Sequence, residues 1–240
     1  MIVSIIVPAF NESKTIIKLL EEVNAQRSQG TMFEVIVVND GSTDNTDKLI
    51  SENIQLVDKY ISLENNSGKG AAVKKGLIEA SGDYILFQDA DLEYSPSDYH
   101  KFFKLIHNNS PDVVMGSRLS GSEFTKVMYF WHKIGNKLIT YFFNILFNTT
   151  FTDVYTCYLL YKKDLVDPAK LKSTGWDQHA EILSTAVKEG DDFFEVPITY
   201  NGRKYEDGKK IKPRHFFSVV LMIIKKRLFW FIFILVYILK

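Results

Sequence analysis

Cysteine is almost missing from these 240 residues: Cys157 stands alone. An intramolecular disulfide is excluded, and the chain fits a reducing compartment. Net charge is missing as well, because 29 Lys and Arg balance 29 Asp and Glu. The charge balance therefore offers no general attraction for nucleic acid, and no nucleic-acid partner is expected. The opening residues MIVSIIVPAF lack the basic stretch and small-residue cleavage site of a secretory leader, so they read as a first core strand. No internal repeat, no low-complexity linker and no internal domain boundary stand out. The pattern G-x-x-x-x-G-K-[ST] is also absent, so the glycines of NNSGKGAAVKKG do not make a P-loop.

What is present is an alternation of apolar runs with stretches of helical spacing. Residues 2–8 (IVSIIVP) and 33–40 (FEVIVVND) read as buried strands. VDKYISLEN is a weaker third strand, GDYILFQDA a fourth and PDVVMGS a fifth. Between them, Ile16, Leu19, Leu20 and Val23 recur at helical spacing, GSTDNTDKLISEN opens with helix-start residues, and GKGAAVKKGLIEA enters a helix on glycines. Residues 124–148 and DQHAEILSTAVKEG read as further helices, and CYLLYKKD as a late strand. DDFFEVPITY is a strand whose Pro197 favours an edge or an end. Strands apolar on both faces and separated by helices predict a mostly parallel α/β sheet. Such sheets bind ligands beyond the carboxyl ends of their strands. There the sequence places Pro8, Phe10, Asn11 and Glu12, then Asn39, Asp40 and Gly41, then Asp89 and Asp91.

FQDADLEYSP sets Asp89, Asp91 and Glu93 on alternate residues directly after an apolar run, where the chain is expected to turn. A D-x-D at a strand end suits Mg²⁺ or Mn²⁺, which take oxygen ligands and bridge to phosphates. The ordinary alternative is a solvated turn. The strand-end position, Asp40 on a neighbouring strand end and the basic segment downstream favour the metal. Asn39–Ser42 is by itself a turn plus helix cap. Gly68, Lys69 and Gly70 suit an anion at a helix start, or equally a glycine-assisted helix entry. His132, four residues before Asn136, reads as structural, Glu181 as a solvent-facing charge, and the aromatic stripe of 124–148 as packing or membrane contact.

Nine basic residues against two acidic ones lie between Arg203 and Arg227, and residues 228–239 are apolar. This predicts a membrane-facing C-terminus. Twelve residues of helix reach about 18 Å, short of a hydrocarbon core of roughly 30 Å. The expectation is a two-part anchor, with residues 213–227 at the interface and 228–239 dipping into the acyl layer. Two alternatives stay open: a single helix from Phe216 to Leu239, about 36 Å long and long enough to span with Lys225, Lys226 and Arg227 near its middle, and a packed C-terminal helix of a soluble oligomer.

Taken in order, VPAFNES, VVNDGSTDNT, NNSGKGAAVKKG, GDYILFQDADLEYSP, VVMGSRL, HKIGNKLIT, FTDVYTCYLLYKKD and EVPITYNGRKYEDGKKI resemble the family 2 inverting glycosyltransferases, in particular the polyprenyl- (dolichyl-) phosphate sugar synthases. The likeness runs over roughly residues 3–212. It implies an α/β GT-A fold, Rossmann-like, with a mostly parallel sheet flanked by helices. Residues 1–212 would form the catalytic domain and residues 213–240 a membrane-associating tail. It implies transfer of a hexose from GDP-mannose or UDP-glucose to a dolichyl or undecaprenyl phosphate, with inversion and with Mg²⁺ or Mn²⁺. By the same resemblance Pro8, Phe10, Glu12, Asp40, Lys69 and Asp89 bind the nucleotide, and Asp89 and Asp91 hold the metal. Arg118, His132, Arg203 and Lys209 face the acceptor phosphate, and Asp89, Asp91, Arg118 and Arg203 carry the reaction. The partners implied are the nucleotide sugar, the lipid phosphate and a membrane surface, with the active site on the cytoplasmic side. Three positions depart from the family: Asn39 replaces one of a usual aspartate pair, Glu93 a frequent glutamine, and His132 a frequent phosphate-binding arginine. Two alternatives stay open. One is transfer to a glycan or lipid hydroxyl, which needs a base such as Asp89, Glu93 or Asp153; the other is a non-catalytic nucleotide-binding scaffold.

Overall fold

The structure, a computed structural model, describes residues 1–121, 126–127, 129–203 and 215–238, the stretch 228–238 as helix backbone. The described strands are β1 (Ile2–Ala9), β2 (Met32–Asn39), β3 (Lys59–Ser62), β4 (Tyr84–Phe87), β5 (Val113–Ser117), β6 (Leu159–Lys162) and β7 (Phe193–Pro197). They form one sheet in the order β3-β2-β1-β4-β6-β5-β7. The consecutive residues Ile5, Ile6 and Val7 of β1 are all fully buried, so both sheet faces are covered there. β1 pairs in parallel with β2 and β4, and the order reverses between them. That crevice is where a doubly wound sheet places a ligand.

The helices are α1 (Ile16–Asn24), α2 (Thr46–Glu52), α3 (Lys69–Glu79), α4 (Tyr99–Asn109), α5 (Phe130–Phe147), α6 (Gln178–Glu189) and α7 (His215–Ile238). α3 lies so close to β1 and β2 that a Cβ on Gly76 would meet Ile6 at 2.7 Å. α4 has no counterpart in the sequence reading, although Tyr99, Phe102, Phe103 and Ile106 bury one helical stripe. α6 ends at Gly190, and Pro197 closes an edge strand, as expected.

One strand runs against the others. β6 is antiparallel to both β4 and β5. An apolar run does not encode direction; the connection does. Residues 118–158 leave β5 at the carboxyl edge and enter β6 at that same edge, so α5 stands over the site instead of crossing behind the sheet.

α7 also differs from the two-part anchor. It is one continuous helix of 24 residues. Its inner stripe buries Val219 and Ile223, and it packs against α5 and α6. Lys226, expected among headgroups, pairs with Glu181 of α6 at 2.9 Å, and Arg227 lies over the Phe147 ring.

Candidate active site

The carboxyl end of β1 runs into a turn that its sequence explains. Asn11 adopts a left-handed conformation (φ 52°), which asparagine tolerates better than most residues. Its side-chain oxygen accepts the Thr43 N–H at 2.8 Å, tying this turn to the one after β2. Glu12 then donates its N–H to the Thr46 hydroxyl and stands over the crevice. Asp40, just beyond β2, is buried and accepts the N–H groups of Ser67 (2.8 Å) and Gly68 (3.0 Å). Those two amides are thereby used. The Gly70 N–H is also used, by the Thr174 carbonyl at 2.9 Å. Of the residues expected to bind an anion at the start of α3, Gly68 and Lys69 line the cavity, and Lys69 brings the ammonium.

The acidic knot is a turn built on a buried glutamine. Gln88, fully buried, accepts hydrogen bonds from Tyr99 and Tyr158, each at 2.7 Å, and donates to the Asp89 carbonyl. Leu92 is left-handed (φ 60°), a conformation that costs a leucine about 1–2 kcal/mol, so the chain does turn between Asp91 and Glu93. Asp91 accepts the Glu93 N–H across that turn.

Each acid of the knot faces a cation. Lys69 Nζ lies 2.5 Å from Asp89, and Arg203 lies 2.5 Å from Asp91 and 3.4 Å from both Glu12 and Glu93. Glu93 in turn anchors the Arg203 segment, accepting from the Tyr200 hydroxyl and the Arg203 N–H. Burial pushes the Asp91 carboxyl up to about 6, helped by the charges of Asp89 and Glu93 and opposed by Arg203. Burial acts the same way on Asp89, but Lys69 outweighs it and holds that carboxyl below its usual range. The two members of the D-x-D thus shift in opposite directions, Asp91 upward because burial and two neighbouring carboxylates outweigh Arg203, and Asp89 downward because Lys69 outweighs burial.

These groups line a cavity of about 900 Å³. Pro8, Phe10, Glu12, Asp40, Lys69 and Asp89 are on its wall, with Asp91, Arg118, His132 and Arg203. Lys209 lies outside the described residues. Arg118 gives its fork to Asp153 (Nε at 2.7 Å, a terminal nitrogen at 2.9 Å), and it reaches the Tyr155 carbonyl and the Tyr94 hydroxyl. It braces the wall formed by Tyr94 and Tyr200.

Asn39 proves to be interior. It is 1 % exposed, donates to Asp47 and Ser62 and accepts the Ser42 N–H. An aspartate there would set a second carboxylate 2.9 Å from Asp47, so the amide is what this network requires.

Several wall residues escaped the sequence reading. Trp176 places its ring 5.3 Å from Lys69 Nζ. His179 donates from Nε2 to the Val154 carbonyl, and burial with the Lys69 charge draws its pKa down to about 4, so the ring is neutral. Lys126 reaches the Gly202 carbonyl. None of these carries a signal in the sequence, whereas the buried Gln88 behind the wall does: a polar residue ending an apolar run just before the D-x-D.

The donor set suits a hard cation, since Asp89 and Asp91 offer oxygen only. Among the described residues no group of three His, Cys, Asp or Glu side chains forms a metal cage. Two carboxylates completed by ligand phosphates is how Mg²⁺ is commonly held, so the residues present fit such an ion.

Residues 4–168 match the family described as Glycosyl transferase family 2. The chain belongs to that family. Among curated relatives of this family 2 member, the low-salt glycan biosynthesis hexosyltransferase Agl6 of Haloferax volcanii is 28 % identical over 222 residues, 92 % of this chain and 53 % of the relative. The dolichyl-phosphate beta-glucosyltransferase of Saccharomyces cerevisiae is also 28 % identical over 222 residues, 82 % of this chain and 66 % of that protein. The chain therefore spans about half to two thirds of the length of these relatives. Among solved structures, glucosyl-3-phosphoglycerate synthase of Mycobacterium tuberculosis, in complex with Mn²⁺, UDP and phosphoglyceric acid, superposes with a TM-score of 0.68. At 18 % identity, covering 93 % of this chain and 78 % of that one, it shares the fold.

Proposed function

We propose that this chain transfers a hexose from a nucleotide sugar to a polyprenyl phosphate, with inversion, using the groups gathered on the cavity. The observation that carries the reading is the cavity's mixed lining, which joins the charged Asp40, Asp89, Asp91, Lys69 and Arg203 to the apolar Trp131, Ile139, Phe216, Phe217 and Val219. The charged residues suit a diphosphate and the apolar ones suit a lipid-linked phosphate. UDP-glucose is the preferred donor over GDP-mannose, on the strength of the yeast relative's name and the UDP in the solved complex.

Pro8, Phe10, Glu12 and Asp40 would hold the nucleoside. Asp89 and Asp91 would hold Mg²⁺ or Mn²⁺, whose charge stabilises the departing diphosphate. A phosphate monoester is largely dianionic near neutrality, its second pKa being roughly 6, so it attacks the anomeric carbon without a base. It needs cations that align two mutually repelling anions. Arg203 suits that task through its planar fork, and Arg118, His132 and Lys209 are assigned to the same acceptor side. The acids that a hydroxyl acceptor would call on are each held by a cation: Asp89 by Lys69, Glu93 by Arg203 and Asp153 by Arg118. This favours the phosphate acceptor over the hydroxyl one.

Residues 1–212 would carry catalysis and 213–240 would meet the lipid surface on the cytoplasmic side. Among the described residues no helix is long and apolar enough to cross a membrane. Phe130, Trp131, Leu138, Tyr141 and Ile145 of α5, and Phe217 and Leu221 of α7, are exposed all the same. Exposed apolar side chains on two helices that pack together support contact with a lipid interface.

The test is transfer from UDP-glucose or GDP-mannose with Mn²⁺, with and without a short polyprenyl phosphate. Transfer should require the lipid phosphate. Asp91→Ala should stay folded by circular dichroism and lose roughly a hundredfold or more in turnover. Wild-type turnover in that variant at saturating Mn²⁺ would sink the assignment.

A further inference from the structure

A polar link beneath α7 joins the C-terminal helix to the donor side of the cavity. Glu181 on α6 is 1 % exposed, not the solvent-facing charge its sequence position suggests. It accepts the N–H of Lys172 at 3.1 Å and of Ser173 at 2.8 Å, and it pairs with Lys226 Nζ at 2.9 Å. Val219, Ile223 and Lys226 follow at i, i+4 and i+7, one face of α7. The ammonium is therefore delivered to Glu181 by the same stripe that packs the helix down. A buried carboxylate stripped of its cation is strongly unfavourable, so the state of Glu181 depends on whether α7 is docked.

The segment held by Glu181 presses on the start of α3. The Thr174 carbonyl accepts the Gly70 N–H at 2.9 Å. The approach is close enough that a Cβ on Gly70 would meet the Ser173 oxygen and a Thr174 carbon at 2.7 Å. Just beyond, Trp176 stands 5.3 Å from the Lys69 ammonium, which pairs with Asp89. Tyr155 holds the Trp176 carbonyl from the other side at 3.1 Å.

We propose that Lys226 and Glu181 are positioning residues of the donor site. Docked α7 neutralises Glu181, Glu181 fixes residues 172–174, and these set the start of α3 with Lys69 against the cavity. The inference rests on reading the cavity as a nucleotide-sugar site. It makes α7, the helix assigned to the lipid surface, a requirement for full donor affinity.

The test uses the full chain in detergent micelles, titrated with UDP or GDP in the presence of Mn²⁺. Lys226→Ala and Glu181→Ala should weaken nucleotide binding about 3- to 30-fold and raise the donor KM more than they lower kcat. Lys226→Arg should restore binding to within about twofold of wild type, and Lys75→Ala, on the exposed flank of α3, should leave it unchanged. Hydrogen exchange at the Lys172 and Ser173 amides should quicken in both weakened variants, which reads the link even where instability removes turnover. Unchanged nucleotide affinity in Lys226→Ala, with faster exchange or a lower Tm, makes the pair a structural brace and overturns the inference. A wild-type protein that binds neither nucleotide overturns the donor-site reading itself.

Discussion

Glu34 is a carboxylate with no part in the cavity, and it contributes to the fold's stability against acid. Burial alone would raise its pKa. The Ser4 hydroxyl, the Ser81 N–H and hydroxyl, and Lys59 outweigh burial and bring it from an ordinary 4.5 down to about 2. A depressed carboxyl stabilises the fold above its unfolded pKa, and that contribution is lost as pH falls from about 4.5 through about 2. Glu34→Gln should therefore cost about 2 kcal/mol near pH 7. The gap in Tm between variant and wild type should close as pH approaches 2, and thermal melts across pH 2–7 check it. A gap that stays constant with pH would mean that the carboxylate charge is not what stabilises this corner. Asn39 and Glu181 carry a related lesson. In the chain Asn39 reads as part of a turn and helix cap and Glu181 as a solvent-facing charge, and each takes its actual role from partners supplied by other elements: Asp47 and Ser62 in the first case, Lys172, Ser173 and Lys226 in the second.

The turn after β4 is the element on which the site depends. Its shape comes from Gln88 below and from the left-handed Leu92 above. Gln88→Leu would strand the hydroxyls of Tyr99 and Tyr158, both fully buried. Unpaired buried groups cost about 1–3 kcal/mol each, so a loss of about 2–5 kcal/mol is expected, read from the denaturant midpoint at unchanged m-value. Metal-dependent transfer should fall further than stability explains, because the Asp89 carbonyl loses its donor. A midpoint within experimental error of wild type would show that the tyrosines find other partners. The antiparallel β6 is the other decisive element, since it keeps α5 over the carboxyl edge, where Trp131 and Ile139 supply apolar lining.

At the scale of the whole molecule, the proposed function requires the cavity to meet a lipid. The inner stripe of α7, Val219, Ile223 and Lys226, is committed to α5 and α6 and lies before residue 228. Removing 228–240 should therefore leave the cavity folded and still able to bind nucleotide. It should also abolish flotation with vesicles containing anionic lipid, which the full chain should show and which higher salt should weaken. A truncated chain that floats as well as the full one would move the lipid contact to α5.

The strands, most of the helices and the polar residues at the strand ends were legible because each is set by local pattern. Buried strands need continuous apolar runs, helices need 3.6-residue spacing, and β1, β2 and β4 must end where polarity begins. A resemblance running through eight ordered stretches places Asp40, Asp89 and Asp91 near one another. What the tertiary structure alone decided were partnerships between residues distant in the chain. Arg203 meets Glu12, Asp91 and Glu93, Arg118 is bound to Asp153, and Lys226 reaches Glu181. Charge in a sequence has a sign but no partner. Its energy depends on burial and on the distance to the opposite charge, and only the folded chain sets those two quantities.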